Sequence, residues 1–305
     1  MATTPDTRDA LRPRAVDYLA TLVGALGIST APILVILSQA HPTAVGVWRF
    51  IYALPLLLPL CLLRRSSRLA FRRRGWMAIA GLSGLFFAAD LALWHHSIGL
   101  IGAGPATLLA NTHIIWIALI GLFFLGEQPS RVFWLFLPLT LLGMFLLVGG
   151  GVAGIPHTAD QRGLVLGIGS GIAYAGMLVC LRLAQRRAPI PPESALLVQV
   201  SLALAALTLI GRAEHSLPAS LTAEQHLWLA LLGIGVQFGC WLLISGGIRR
   251  LPGHHGGMIL LAQPICSLGL AWWLLGQALS ASRIAGALLV LIGVAVPLLR
   301  EARSS

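Results

Sequence analysis

A chain of 305 residues that is 57% hydrophobic and only 10% charged, with mean hydropathy +0.86, cannot cover the surface of a soluble globule, where about 25% charge is usual. The net charge of +11 comes wholly from arginine, since the sequence contains no lysine. Those arginines stand in short links between apolar runs and leave no soluble domain to hold a polymer, which excludes nucleic acid as a partner.

A membrane helix needs about 20 apolar residues at 1.5 Å rise each. Ten segments meet that requirement: 17–38, 44–63, 76–99, 103–125, 131–150, 163–182, 193–211, 225–247, 253–275 and 280–299. The first is preceded by Arg8, Arg12 and Arg14, as the apolar core of a signal peptide would be, but the run from Tyr18 to Leu37 is too long for one and reads as a span. The segments at 103 and 253 open on small-residue breaks, Gly102-Ala103-Gly104-Pro105 and Pro252-Gly253 with Gly256-Gly257. Glycine and proline recur inside the segments, as membrane helices tolerate. Cys61, Cys180, Cys240 and Cys266 each lie within an apolar run without metal-ligand spacing and read as small buried hydrophobes.

The links set orientation. Arg64, Arg65, Arg68, Arg72, Arg73 and Arg74 fill the second, Arg131 marks the fourth, Arg182, Arg186 and Arg187 the sixth, and Arg249 and Arg250 the eighth. The opposite links hold only Arg162, Arg212 and Arg283. With ten spans, the terminal arginines share the basic side, so both termini are expected in the cytoplasm and the protein in the cell inner membrane.

The segments also repeat. At an offset of 150, Leu125-Gly126-Glu127 falls on Leu275-Gly276-Gln277, Ser130 on Ser280 and Gly143 on Gly293. Residues 1–150 and 151–305 are therefore read as two copies joined through the outer link 150–162. An odd number of spans per copy inserts the second copy upside down. The expected fold class is an all-α membrane protein: ten transmembrane helices as two inverted five-helix repeats around a central cavity, with the substrate where the copies meet.

No phosphate-cradling loop, GxSxG elbow or HExxH helix appears, so an enzyme is not expected, nor a cofactor or metal. Gly167-Ile168-Gly169-Ser170-Gly171 lies inside a span and reads as a close helix contact, as do Gly235 and Gly239. Polar groups within the spans are costly unless they face protein or water, and they carry the functional reading. Asp90 lies roughly 13 Å from the outer end of the third span, on a stripe with Ser83, Phe87, Trp94 and Ser97. It reads either as a site for a substrate amine or proton, or as a structural carboxylate paired with a neighbouring helix. Arg49, nearer the outer end of the second span, has three readings: pairing Asp90 or His95-His96, holding a substrate carboxylate, or snorkelling outward. Asn111 and His113 are about 200° apart on a helix and share a cavity only if that helix is broken. Gln263-Pro264 occupies the equivalent positions in the second copy, with the proline freeing a backbone carbonyl. Gln237, and Ser29-Thr30 before Pro32, reach similar depth, and Trp48, Trp94, Trp116 and Trp241 read as pocket walls or interfacial anchors.

The run Asp90-Leu91-Ala92-Leu93-Trp94-His95, then Ala106 to Asn111, Leu125-Gly126-Glu127 and Gly143, resembles the first EamA-type repeat of the drug/metabolite transporter superfamily. Gln263-Pro264, Leu275-Gly276, Ser280, Gly286 and Gly293 resemble the second, and in length and layout the chain is most similar to amino-acid exporters of the YddG type. The resemblance implies export of small metabolites by alternating access, most prominently amino acids, including aromatic and other hydrophobic ones. The alternative it leaves is efflux of drugs or cationic compounds. The chain departs from the family pattern at Ile114, usually proline, and at Gln263, often glutamate, which puts proton coupling in doubt beside facilitated export. The expected partners are a small-molecule substrate and the lipid bilayer, with the chain a monomer or weak oligomer. The residues expected to bind substrate are Asp90, Trp94, Asn111, His113, Gln237, Gln263 and Arg49.

Overall fold

The computed structural model describes residues 13–73, 75–101, 103–148, 160–186, 190–217, 220–275 and 280–304, and among them the chain is helical with no strand. Gly102, the expected junction at residues 149–159, and residues 276–279 of the second copy's Leu-Gly motif lie outside the described residues. In chain order the main helices are α1 (Ala15–Ile28 with Ala31–Ser38), α2 (Pro42–Leu63), α3 (Trp76–Ile101), α4 (Ala103–Ala110 with His113–Phe124) and α5 (Arg131–Val148). They continue with α6 (Gln161–Arg186), α7 (Pro192–Ala213), α8 (Ala223–Leu231, Leu232–Cys240 and Trp241–Ile248), α9 (Gly253–Leu260 with Ala262–Leu275) and α10 (Ala281–Ser304). Nine described helices are long and apolar enough to cross a membrane, and α5 is a shorter apolar helix, Arg131–Leu147. Phe123, Phe124, Leu135 and Trp273 are more than 70% exposed. Water would penalise such a surface and lipid does not. The protein is a multi-pass membrane protein.

The most extensive packing joins the first five helices to the last five: α3 against α6 and α7, α5 against α10, α2 against α7 and α8, α1 against α8 and α9, and α4 against α6 and α9. Adding five to every helix number, with α6–α10 returning to α1–α5, maps this set of pairs onto itself, as a two-fold relation between copies requires. The core is thus the seam between copies. Small residues let it close. A Cβ on Gly143 of α5 would sit 2.8 Å from the Gly286 carbonyl of α10, and one on Gly286 would sit 2.6 Å from the Gly143 carbonyl. The backbones meet there because neither residue carries a side chain.

Three helices are interrupted at mid-length. α1, expected to be continuous, breaks at Ser29-Thr30, because the ring of Pro32 obstructs the Ile28 carbonyl. α9 breaks at Leu261, three residues before Pro264. α4 breaks at Asn111-Thr112 without a proline. Its own side chains compete for backbone carbonyls there: Asn111 Nδ2 donates to Thr107 O at 2.8 Å and Thr112 Oγ1 to Leu109 O at 2.6 Å, beside the backbone N–H groups those oxygens already accept. The last two breaks coincide at the offset of 150 that relates the copies. A fourth irregularity is the π-helical stretch Leu232–Cys240. It shifts the contact face. Gly235 meets nothing within 4 Å and Gly239 only its own helix, so neither makes the close helix contact expected of it. Gly233 does so instead, 2.7 Å from the Arg49 carbonyl if given a Cβ.

At one end of the bundle Arg64, Arg182, Arg186 and Arg250 of the even links meet acidic partners. Glu127 binds Arg182, lies 3.7 Å from Arg186 and accepts the Gly253 N–H at 2.9 Å. Asp17 pairs with Arg250 at 2.9 Å, and Glu193 takes Ser67 at 2.8 Å and Arg64 at 3.2 Å. Each of these acids reaches across from one copy to the other. A small apolar cavity beside Arg182, lined by Ile117, Ile248, Gly253 and Leu260, belongs to this end and not to the middle of the bundle.

Candidate substrate site between the copies

The centre is built on a run of rings contributed by both copies. Phe50 of α2 lies 5.4 Å from Phe87 of α3, Phe87 lies 5.4 Å from Trp241 of α8, Trp241 lies 6.5 Å from Tyr174 of α6, and Tyr174 lies 4.6 Å from His113 of α4. Into this run projects Arg49. Its side chain does not snorkel: it is 8% exposed, with its guanidinium carbon 5.9 Å from the centroids of both Phe50 and Phe87. The attraction of a cation to ring faces holds it inward. Asp90 and Tyr174 lie within electrostatic range of Arg49, yet no ion pair within 4 Å joins Arg49 to Asp90.

Asp90 is bonded to a neighbouring helix, as its structural reading expects. Its Oδ1 accepts a 2.6 Å bond from Ser170 on α6, the neighbouring-helix partner. The stripe it belongs to is the seam between α3 and α6, where Ser83 donates to the Met177 carbonyl at 2.7 Å and Ser97 to the Gly163 carbonyl at 2.8 Å. Glycine makes the seam tight: on Gly167 a Cβ would stand 3.0 Å from Ser97 Oγ, and on Gly171 2.8 Å from the Leu109 carbonyl at the α4 break. The close-contact reading of the Gly167–Gly171 run holds.

Several buried polar atoms around the rings have no partner within the protein. They are Arg49 Nε, His113 Nε2, Trp116 Nε1, Trp241 Nε1, Gln263 Nε2 and both amide atoms of Gln237. Gln237 lies one turn from Trp241 within the π-helical stretch, and the Gln263 amide faces the Tyr174 hydroxyl. Leaving such groups unpaired in an apolar surround costs about 1–3 kcal/mol each, so their accumulation marks a place made to be filled. Most are donors. Gln237 Oε1 is an acceptor among them, while His113 has one nitrogen 3.3 Å from the Ala110 carbonyl and the Gly257 backbone on its other side. A centre with surplus donors around a guanidinium, and one carboxylate at its edge, complements a small molecule carrying both a carboxylate and an ammonium.

The structure thus brings Arg49, Asp90, His113 and Gln263 to one ring cluster, with Gln237 a turn away. The condition set by the sequence is met for α4, since its helix is broken between Asn111 and His113. Asn111 nonetheless spends one of its two amide N–H groups on its own backbone. Trp94 lies against its neighbour His95, with ring centroids 5.3 Å apart and planes tilted by 42°. Of the adjacent histidines, His96 turns outward to Glu214 at 3.3 Å. Tyr174 and Ser170 were missed by sequence reasoning. The available signal was Ser170 and Tyr174 four residues apart on one face of an otherwise small-residue span.

Comparison with known proteins gives a consistent result. The profile of the EamA-like transporter family matches residues 16–149 and again 161–299. An uncharacterized transporter from Synechocystis sp. is 29% identical over 213 residues, 68% of this chain and 62% of its own length. Another uncharacterized transporter, from Archaeoglobus fulgidus, is 24% identical over 178 residues, 56% of this chain and 58% of its own length. The chain therefore spans about three-fifths of each of these relatives. A solved crystal structure of a protein superposes with a TM-score of 0.79 at 21% identity, covering 96% of this chain and 99% of the other, which shows the shared fold.

Proposed function

This chain belongs to the EamA-like transporter family, and we propose from that premise that it exports small zwitterionic metabolites, amino acids with apolar or aromatic side chains foremost. In this reading ten helices form two inverted repeats in the cell inner membrane, with both termini cytoplasmic. The observation that carries it is the buried Arg49 guanidinium among Phe50, Phe87 and Trp241, with no hydrogen-bond partner for its Nε. Arg49 takes the substrate carboxylate, helped by the amide donors of Gln237 and Gln263. The free oxygen of Asp90 takes the ammonium, and the ring run receives the side chain. The interrupted helices α4 and α9 supply the pliable backbone over which the two copies rock to expose the centre to either side.

A fixed guanidinium at the centre disfavours the rival reading, efflux of cationic compounds, because like charges at close range in a low dielectric repel strongly. The discriminating experiment measures thermal stabilisation of the purified protein by phenylalanine, phenethylamine and phenylpropionate. The amino acid is expected to stabilise most, by about 2.7 kcal/mol at a hundred times its dissociation constant. Equal or greater stabilisation by the bare amine would reverse the choice in favour of cations.

A further inference from the structure

At the arginine-rich end, away from the ring cluster, three ligand-type side chains converge. His254 and His255 open α9, and Glu301 closes α10. His254 Nε2 lies 3.0 Å and His255 Nε2 2.5 Å from the same carboxylate oxygen, Glu301 Oε2. One ligand atom from each of the three falls within 4.8 Å of the others. Both imidazoles are 4% exposed.

The surroundings fix each ligand from behind. Ser130, which caps α5 by accepting the Phe133 N–H at 3.1 Å, donates to Glu301 Oε1. Oε2 faces the two rings. Tyr18 of α1 lies 2.9 Å from His255 Nδ1, the kind of outer partner that orients a metal-bound imidazole and sets which nitrogen is bare. His254 is held by ring contacts, 5.3 Å from Phe133 and 4.5 Å from His255, and its buried Nδ1 has no partner in the protein. Two arrangements satisfy these distances: both Nε2 atoms carry protons and donate to Oε2, or a cation stands between bare nitrogens and the carboxylate. Ligands bound at about 2.0–2.2 Å stand about 3.0–3.4 Å from one another. The His254 contact already has that separation, and the His255 contact would open by about half an ångström to reach it.

We propose that His254, His255 and Glu301 form a binding site for a first-row divalent cation of the zinc class, tying α9 and α10 to α1 and α5. Two imidazoles with one carboxylate select such ions over magnesium or calcium, which take oxygen ligands. The site lies in a different part of the molecule from the ring cluster and does not depend on the substrate reading. Because Tyr18 and Ser130 come from the first copy and the ligands from the second, occupancy stiffens the seam at this end.

The test is titration of the full-length protein, purified with a histidine-free tag, with cobalt(II), followed by its visible d–d absorption and by competition with zinc(II). One equivalent per chain is expected. The band should be lost in His255→Gln and in Glu301→Gln, and Tyr18→Phe should weaken affinity by about 10- to 100-fold, as loss of an outer partner does. Tyr18→Phe removes one hydroxyl and leaves the ligands in place, so it keeps the proposal testable if a ligand variant fails to fold. No stoichiometric band, or a band unchanged when His254 and His255 are both replaced by glutamine, would overturn the site and leave the two imidazoles as N–H donors to Glu301.

Discussion

Arg49→Gln lowers amino-acid exchange by on the order of 10- to 100-fold, the loss of a charge-assisted bond worth about 1.5–3 kcal/mol, while the helices stay assembled. The expectation follows from what Arg49 lacks. Its Nε has no acceptor, it forms no ion pair with Asp90, and its contacts are ring faces. Removing the charge gives up the two ring-face contacts, which the melt of the variant registers, and takes the guanidinium from the centre. Arg49→Lys separates charge from shape. If the planar fork grips a carboxylate, lysine restores little; if charge alone matters, it restores most of the activity. Initial rates in proteoliposomes, paired with a thermal melt of each variant, make the measurement. Undiminished exchange in Arg49→Gln would mean that the guanidinium does not meet the substrate.

Glu127→Gln produces the largest expected loss of stability. Arg182, 4% exposed, has Glu127 as its ion-pair partner, and the same carboxylate accepts the N–H of Gly253 at the opening of α9. Breaking a buried pair by removing one charge costs about 3–5 kcal/mol, because the remaining ion stays buried without compensation. Glu127 is 16% exposed, so solvent relieves part of that, and the lower end of the range is expected. The companion variant Glu127→Gln with Arg182→Met buries no charge and recovers most of the loss. Thermal unfolding in a single detergent compares the three proteins. A melting temperature unchanged by Glu127→Gln alone would show that the pair contributes nothing to holding the copies together.

Much of this architecture was legible in the residues. Apolar runs of span length gave the helices, and the offset of 150 pointed to a doubled pattern whose deepest structural expression is the matched interruption of α4 and α9. Of the link arginines, Arg64, Arg182 and Arg186 do bond across to other elements at one end. Other features were invisible for physical reasons. The π-helical stretch in α8 has no proline or charge to announce it, and its shifted register exchanges Gly233 for Gly235 and Gly239 at the helix contact. Counting residues placed Arg49 near a membrane edge, where outward snorkelling is the usual outcome; the rings of Phe50 and Phe87, distant in sequence from each other, turn it inward. Tyr174 and Ser170 were hidden because they stand among the glycine, alanine and aliphatic residues of α6, and a helix read by itself does not reveal which neighbour its few polar groups will meet. Asn111 shows the opposite failure. It was placed at mid-helix, but the break that brings it there ties one of its two amide N–H groups to the Thr107 carbonyl.

The most direct measurement is counterflow of radiolabelled phenylalanine into proteoliposomes preloaded with unlabelled amino acids, run with and without an imposed pH gradient. The account predicts label uptake that depends on amino acid inside the vesicles and falls sharply in Arg49→Gln. Concentration of label by the gradient would add a coupled proton, with Asp90 its leading carrier; uptake indifferent to the gradient would make export facilitated. No amino-acid exchange under either condition, with transport of a cationic dye in the same vesicles, would contradict the account.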